Sequence, residues 1–526
     1  MTIEKVTPLP EQEWAIKRIL SEKTKRALIA DDMGFGKTVI AAETLLRLAP
    51  KRALIIGVKD TFGTFDNPDD KGWAGTILAQ SDGAVRLRRM NSTKPGLEAY
   101  ADFMAGVDGW YFVGIEWFRT QDWEQIPDLD REGNVQYVFD KKTDEPVIDK
   151  RTGEQKVKTK AKQKKVFHKK AKLKIGELML VLDEIHLSAA NRGSQSRKTL
   201  NTIRDADWII GLSGTPVGNE FENWWSITNL LWRPVAGTSF VDWVTENCIV
   251  VAEPIGGGKF ANKVVGEKVP GNWVSQLPCF IRRENDDKPP EPFLLPVELT
   301  PQQRMQYDQM VTDMLAYVPR EADGTFTEDI LMASVPVSQR QRLRFMTLGD
   351  VIINEGGEVD FAYNTNSAKL GALQWLVDQW PGHQVLIFTA SKKFAKVAAA
   401  RMHASGYPTG VWTGDSSTQD RARLKQDFLD GKIRYIVGVI QAMATGLDGF
   451  QKVSNRLIWL DEVEGNPSLM RQAQARLYRR GRKLDGGGWV EVKLVARDTW
   501  DLGVMQGLVQ KEGMLRASMP VAASAI

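Results

Sequence analysis

Along the first part of the chain, short runs of consecutive apolar residues alternate with longer stretches whose apolar positions recur every three or four residues. Arg26–Ala30, RALIIGVKD (52–60), AVRLRRM (84–90) and GWYFVGIEWF (109–118) read as core strands. Between them, roughly 40–49, 71–80 and 96–105 read as helices. Strands separated by helices predict a mostly parallel sheet with helices on both faces. The apolar runs Leu178–Leu182 and Trp208–Leu212 are further strands of this kind. The rhythm resumes near Ser367, with QVLIFTAS (384–391) and RYIVGVI (434–440) as strands of a second unit.

Two regions break the pattern. From Gln121 to Ile175 the chain is polar, with turn signals at REGN, KKTDEP and KRTGEQ. From about 235 to 365 it is irregular, with a glycine run (255–259), a proline cluster (288–292) and helical stretches near 301–317 and 336–348. The expected organisation is a first lobe (1–234) carrying the polar insertion, helical bridging segments (235–365) and a second lobe (366–526).

Composition narrows the class. The 526 residues are 42% hydrophobic and 26% charged, as in globular proteins, with no apolar run of 18 residues and no signal-peptide core at the N-terminus. The expectation is a soluble intracellular protein with no membrane partner, in the cytoplasm of a bacterial or virus-infected cell, the nucleus being the alternative. Two cysteines (Cys248, Cys279) and four scattered histidines offer neither a zinc site nor a disulfide framework. Net charge is +4, yet ten lysines between Gln155 and Ile175, with no acid among them, leave the remainder at −6. Lys156, Lys158, Lys160 and Lys162 alternate along KVKTKAKQKK, which suits an extended ribbon tracking a phosphate backbone; a solvated insertion is the equal alternative.

The candidate chemistry centres on LIADDMGFGKT (28–38), a strand, a glycine-rich turn and a helix start. Backbone amides around Asp32, Met33, Gly34 and Gly36 can cradle phosphates, Lys37 can reach the β/γ-phosphates, and Thr38 can ligate Mg²⁺. Asp31 stands where the usual pattern has glycine. Upstream, Gln12 heads a helix with Trp14, Ile16, Ile19 and Leu20, and its amide can read an adenine edge. Downstream, the strand Leu178–Leu182 delivers Asp183, suited to Mg²⁺, and Glu184, suited to orienting or deprotonating water. His186 follows two residues on. After Trp208–Leu212 comes the small turn Ser213-Gly214-Thr215-Pro216, a candidate nucleotide sensor. On a helix from about Ser468, Gln472, Arg476 and Arg479 are spaced to share one face, so the two guanidiniums are candidate arginine fingers.

In this order, DDMGFGKT, DEIH and GLSGTPVGN resemble motifs I, II and III of the superfamily two helicase-like ATPases, specifically the Swi/Snf-type branch, whose phosphate loop begins Asp-Glu-Met-Gly. CFIRRENDDKPPEPFLLPVELTPQQRMQYDQM and QAQARLYRRGRK resemble later blocks, with Arg482 in place of a family Gln. The resemblance implies two RecA-like lobes with ATP and Mg²⁺ in the cleft between them. It also implies DNA contacts at Lys59, Arg119, Thr389, Lys392, Gln441 and Thr445, and lobe coupling through His186, Ser213, Gly214, Thr215, Gly446 and Asp448. In the loop ATGLDGF (444–450), Thr445, Asp448 and Phe450 depart from the family's residues.

The expected function is a DNA-stimulated ATPase translocating on double-stranded DNA. A strand-separating or fork-remodelling helicase acting on forked DNA is the alternative. A nucleic-acid-binding module with a vestigial ATP site is the third reading.

Overall fold

The computed structural model describes residues 7–519 except 66–71, 120, 128–133, 140–145, 149–154, 156, 158, 166–176, 219, 257–258, 323–324, 363–365, 445–448, 480–481 and 483–487. It contains two RecA-like lobes. The first is built on a seven-stranded sheet in the order Phe280–Ile281, Arg26–Ile29, Trp208–Leu212, Leu178–Leu182, Arg52–Gly57, Gly109–Gly114, Leu87–Met90, with every pairing parallel. Its three central strands are buried at every position, as expected of a sheet covered on both faces. The second lobe has six parallel strands in the order Phe293–Val297, Val490–Ala496, Arg456–Trp459, Val385–Thr389, Tyr435–Val439, Thr409–Trp412.

The structure corrects several boundaries. The first-lobe sheet takes its edge strand from Phe280–Ile281 and the second-lobe sheet takes one from Phe293–Val297, so the chain crosses between lobes at 282–292 rather than through 235–365. The segment between is not mainly helical. It forms the antiparallel hairpins Cys248–Gly256/Lys259–Glu267 and Leu315–Ala322/Thr325–Met332 beside the helices Phe240–Asn247, Pro301–Asp313 and Pro336–Leu348. In the second hairpin Ala316 and Val318 are buried while Tyr317 is exposed, a period of two hidden within an apolar-rich stretch. The apolar run 109–118 is a strand only to Gly114. Ile115 and Phe118, three apart, then bury one side of the short helix Ile115–Arg119, because an uninterrupted apolar run does not specify its own period. The strand at 84–90 is confined to Leu87–Met90.

Within the lysine-rich insertion, Thr159–Lys165 pairs antiparallel with Gln121–Pro127, the register setting Lys160 opposite Ile126 and Lys162 opposite Glu124. Lys156 and Lys158 lie outside the described residues. The C-terminal helix Trp500–Ala517 spans both units: Val504 and Leu508 join a second-lobe core cluster, while Leu515 and nearby Met519 are buried in the first-lobe core. Among the described residues no helix is long and apolar enough to cross a membrane.

Candidate nucleotide site between the two lobes

The strand Arg26–Ile29 ends in the phosphate loop, and two of its glycines are required by conformation. Gly34 and Gly36 sit at φ +95° and +72°, and a Cβ on Gly36 would lie 2.4 Å from Gln12 Nε2. That amide donates to Phe35 O at 2.9 Å while Gln12 Oε1 accepts from Leu9 N at 2.9 Å, so the loop and the first helix are tied together. Lys37 opens the helix Lys37–Leu48, and its Nζ donates to the Asp31 and Asp32 carbonyls at 2.7 and 3.1 Å. Burial pushes this ammonium's pKa down, against the opposing pull first of Glu184 and then of Asp31. Thr38 is half-buried on the first turn of the same helix.

Asp31, unexpected by pattern, is fully buried. Its carboxylate accepts from Arg283 N at 2.8 Å and Arg283 Nε at 3.0 Å, and also from Arg283 Nη2. Sequence reasoning missed this partner. The signal was the Arg-Arg pair closing the last strand of the sheet, 252 residues away.

Asp183 sits at the end of its strand, its N–H on Ile56 O. Its Oδ2 accepts from Trp73 Nε1 at 2.8 Å and Thr61 Oγ1 at 3.4 Å, and its Oδ1 from Glu184 N at 3.1 Å. Burial, and then the neighbouring Glu184, raise this carboxyl to about 6. Among the described residues no group of three or more His, Cys, Asp or Glu could hold a metal. Asp183 and the Thr38 hydroxyl are the residues that could hold a Mg²⁺ ion, which takes one or two protein oxygens and completes its shell with water and phosphate oxygens.

Glu184, held in a left-handed turn (φ +47°), begins a line of polar contacts. Ser213 Oγ lies 3.2 Å from Glu184 Oε2 and 2.8 Å from His186 Nδ1, and it accepts from Thr215 N at 3.0 Å. Burial lowers the His186 pKa, favouring neutral imidazole. Thr215 Oγ1 then accepts from Gln472 Nε2 of the second lobe at 3.2 Å, and Ser468 Oγ donates to Gly218 O at 2.6 Å. Gly214 packs close enough to the loop that a Cβ on it would lie 3.7 Å from Lys37 Nζ. The structure therefore brings together Gln12, Asp32, Met33, Gly34, Gly36, Lys37, Thr38, Asp183, Glu184, His186, Ser213, Gly214, Thr215 and Gln472.

The finger geometry differs from expectation. The helix runs only over Pro467–Gln474, so Arg476 and Arg479 project from the turns that follow it, not from a shared helical face. Continuing the helix through ARLYRRGRK would stack like charges at spacings of three and four. Arg476 Nε donates to Ala444 O at 2.9 Å, within the second lobe.

Four expected DNA contacts are exposed just past strand ends: Lys59, Arg119, Lys392 and Gln441. Lys392 is paired with Asp415 at 2.6 Å. Thr389 is corrected: it is fully buried, with its hydroxyl on Asp461 Oδ1 at 2.6 Å, and has no face to offer a phosphate backbone. Thr445, Gly446 and Asp448 lie outside the described residues, and no side-chain position is described for Lys160 and Lys162.

Residues 368–481 match the family model described as the helicase conserved C-terminal domain. Protein CHROMATIN REMODELING 24 of Arabidopsis thaliana is 21% identical over 377 residues, 64% of this chain and 34% of that protein, so the chain spans about a third of the length of that curated relative. Among solved structures, the Sulfolobus solfataricus SWI2/SNF2 ATPase core in complex with dsDNA gives a TM-score of 0.34 at 16% identity, covering 99% of this chain and 100% of that one. The C-terminal part of the Fun30 ATPase domain gives 0.31 at 17% identity, covering 41% and 89%. Residues 368–481, within the second lobe, therefore match a helicase-type C-terminal domain. Together with the order of motifs in the first lobe, this makes the chain similar to the Snf2-type ATPases.

Proposed function

We propose that this chain hydrolyses ATP with Mg²⁺ in the interlobe cleft and uses the cycle to translocate on double-stranded DNA. The observation that supports it most is the line Glu184, Ser213, Thr215, Gln472, which links the general-base candidate of one lobe to the helix that precedes the candidate finger arginines of the other. Lys37, released from the Asp31 and Asp32 carbonyls, binds the β/γ-phosphates, while Glu184 orients the attacking water and accepts its proton. Bound Mg²⁺ supplies charge neutralisation on the phosphates, with Thr38 and Asp183 as its protein ligands. Arg476 and Arg479 stabilise charge on the transferring group once the cleft closes, and closure alternating with opening shifts grip between the exposed Lys59, Arg119, Lys392 and Gln441. Remodelling of something bound to the duplex belongs to the same proposal, the Arabidopsis relative being named for chromatin remodeling.

The test is ATP turnover with and without duplex DNA. Wild type should be stimulated, and Lys37→Ala or Glu184→Gln should lose turnover by about 10³-fold or more with the fold intact. DNA-stimulated turnover retained in either variant would overturn the site. A fork-remodelling reading is favoured by the antiparallel ribbon of 121–127 and 159–165, which follows Arg119 in the chain. Displacement of a triplex strand without unwinding of a labelled fork supports translocation alone, and fork unwinding supports the second reading.

A further inference from the structure

The last strand of the first-lobe sheet ends at Ile281, and the next residues run along the phosphate loop before the chain leaves for the second lobe. Arg282 Nη1 donates to Ala30 O at 3.0 Å. Arg283 takes Asp31 through its backbone and side chain, its carbonyl accepts from Asp32 N at 3.0 Å, and its Nη1 donates to Glu11 O beside Gln12. The same guanidinium lies 5.0 Å from the Phe35 ring centroid. Asn285 closes the grip, its N on Asp32 Oδ2 at 3.2 Å and its Nδ2 on Met33 O at 2.9 Å. From Ala30 to Met33, each residue of the loop is held by this one segment.

Two residues further on, the segment grips the other lobe. Asp287 Oδ1 lies 2.5 Å from Tyr478 OH and its Oδ2 accepts from Arg482 Nη1 at 2.5 Å, while Lys288 O lies 2.9 Å from the same hydroxyl. The Arg482 guanidinium stacks 4.2 Å from the Tyr478 ring centroid. Tyr478 and Arg482 flank Arg479 in sequence. Arg482 is also the position at which this chain departs from the family's Gln, and only a cation can form an ion pair with Asp287.

We propose that residues 282–287 form a strut that positions the arginine-finger segment according to the state of the phosphate loop, with Asp287 as the positioning residue at its far end. This rests on the ATPase reading above. Phosphate binding draws Lys37 off the Asp31 and Asp32 carbonyls, the residues the strut holds, and the shift reaches Tyr478 and Arg482 through Asp287. Because the Asp287 side chain is 58% exposed, its removal should cost the fold little.

Hydrogen exchange on the full chain, with and without a non-hydrolysable ATP analogue and Mg²⁺, separates the two ideas. The analogue should protect amides 31–38 in every variant. It should protect 472–479 in wild type and in the charge-swapped pair Asp287→Arg/Arg482→Asp, and about tenfold less in Asp287→Ala. In turnover, Asp287→Ala should lower kcat about tenfold with KM for ATP within about twofold, and the charge swap should restore part of it. Equal protection of 472–479 in Asp287→Ala, or its absence in wild type while 31–38 is protected, overturns the strut and leaves the ATP site standing. No protection of 31–38 in wild type overturns both.

Discussion

Asp31 illustrates how a single buried carboxylate changes a motif's meaning. In a glycine-rich loop an acid looks out of place, yet here it is a fully buried anion neutralised by Arg283, and so a structural anchor for the loop. Removing one member of a buried pair leaves the other charge uncompensated, which typically costs about 3–5 kcal/mol. Asp31→Ala should therefore lower unfolding free energy by that order in urea titration, with Asp31→Asn less damaging because it keeps an acceptor for the Arg283 amide. The two thiols make a second residue-scale prediction. Burial pushes Cys248 up to about 12 and Cys279 up to about 11, so neither is a thiolate near neutral pH. Native protein at pH 8 should resist alkylation by N-ethylmaleimide, and unfolded protein should take up two equivalents by mass spectrometry.

At the scale of elements, the first lobe's strands were legible because they are buried on both faces and lack polar interruptions. The phosphate loop was legible because its chemistry is local: turn, lysine and helix start lie within one stretch. The two hairpins were not: in the first the apolar run Ile249, Val250 and Val251 is exposed, and in the second burial alternates through Ala316, Tyr317 and Val318 within a stretch that also contains proline. The finger helix was legible in its start, where Asn466 caps Leu469 N and Pro467 opens the first turn, but not in its early end at Gln474. The lysine insertion carries its own prediction. If the ribbon containing Lys160 and Lys162 follows a DNA backbone, deleting 155–175 should weaken duplex binding and flatten the salt dependence of log K by about 0.9 for each phosphate no longer neutralised. An unchanged slope in a fluorescence-anisotropy titration would assign the lysines to solvation.

For the whole molecule, the distinctive feature is the C-terminal helix, rooted in second-lobe packing at Val504 and Leu508 and ending in the first-lobe core at Leu515. Lys511 adds an ion pair to Glu220 at 2.7 Å. The helix opposes free separation of the lobes, so opening must bend it, slide it or release its end. Leu515→Ala should cost about 2–5 kcal/mol of stability as a core truncation. It should also widen the distribution of interlobe distances measured by double electron–electron resonance between labels on Asp60 and Arg421, which lie 3.5 Å apart in the two lobes.

What the amino-acid order determined by itself was everything short in range: two series of buried strands, the phosphate loop, the Asp183-Glu184 pair, and the resemblance their order carries. Patterns of burial and turn chemistry act over a few residues, so they can be read without coordinates. Only tertiary structure decided that Asp31 belongs to Arg283, that Thr389 is buried, that the lobes divide at 282–292, and that Asp287 meets Arg482 across 195 positions. The Asp31–Arg283 and Thr389–Asp461 contacts depend on which side chains a parallel sheet brings to one edge, and that is fixed by strand order, a property of the folded chain that no local pattern encodes.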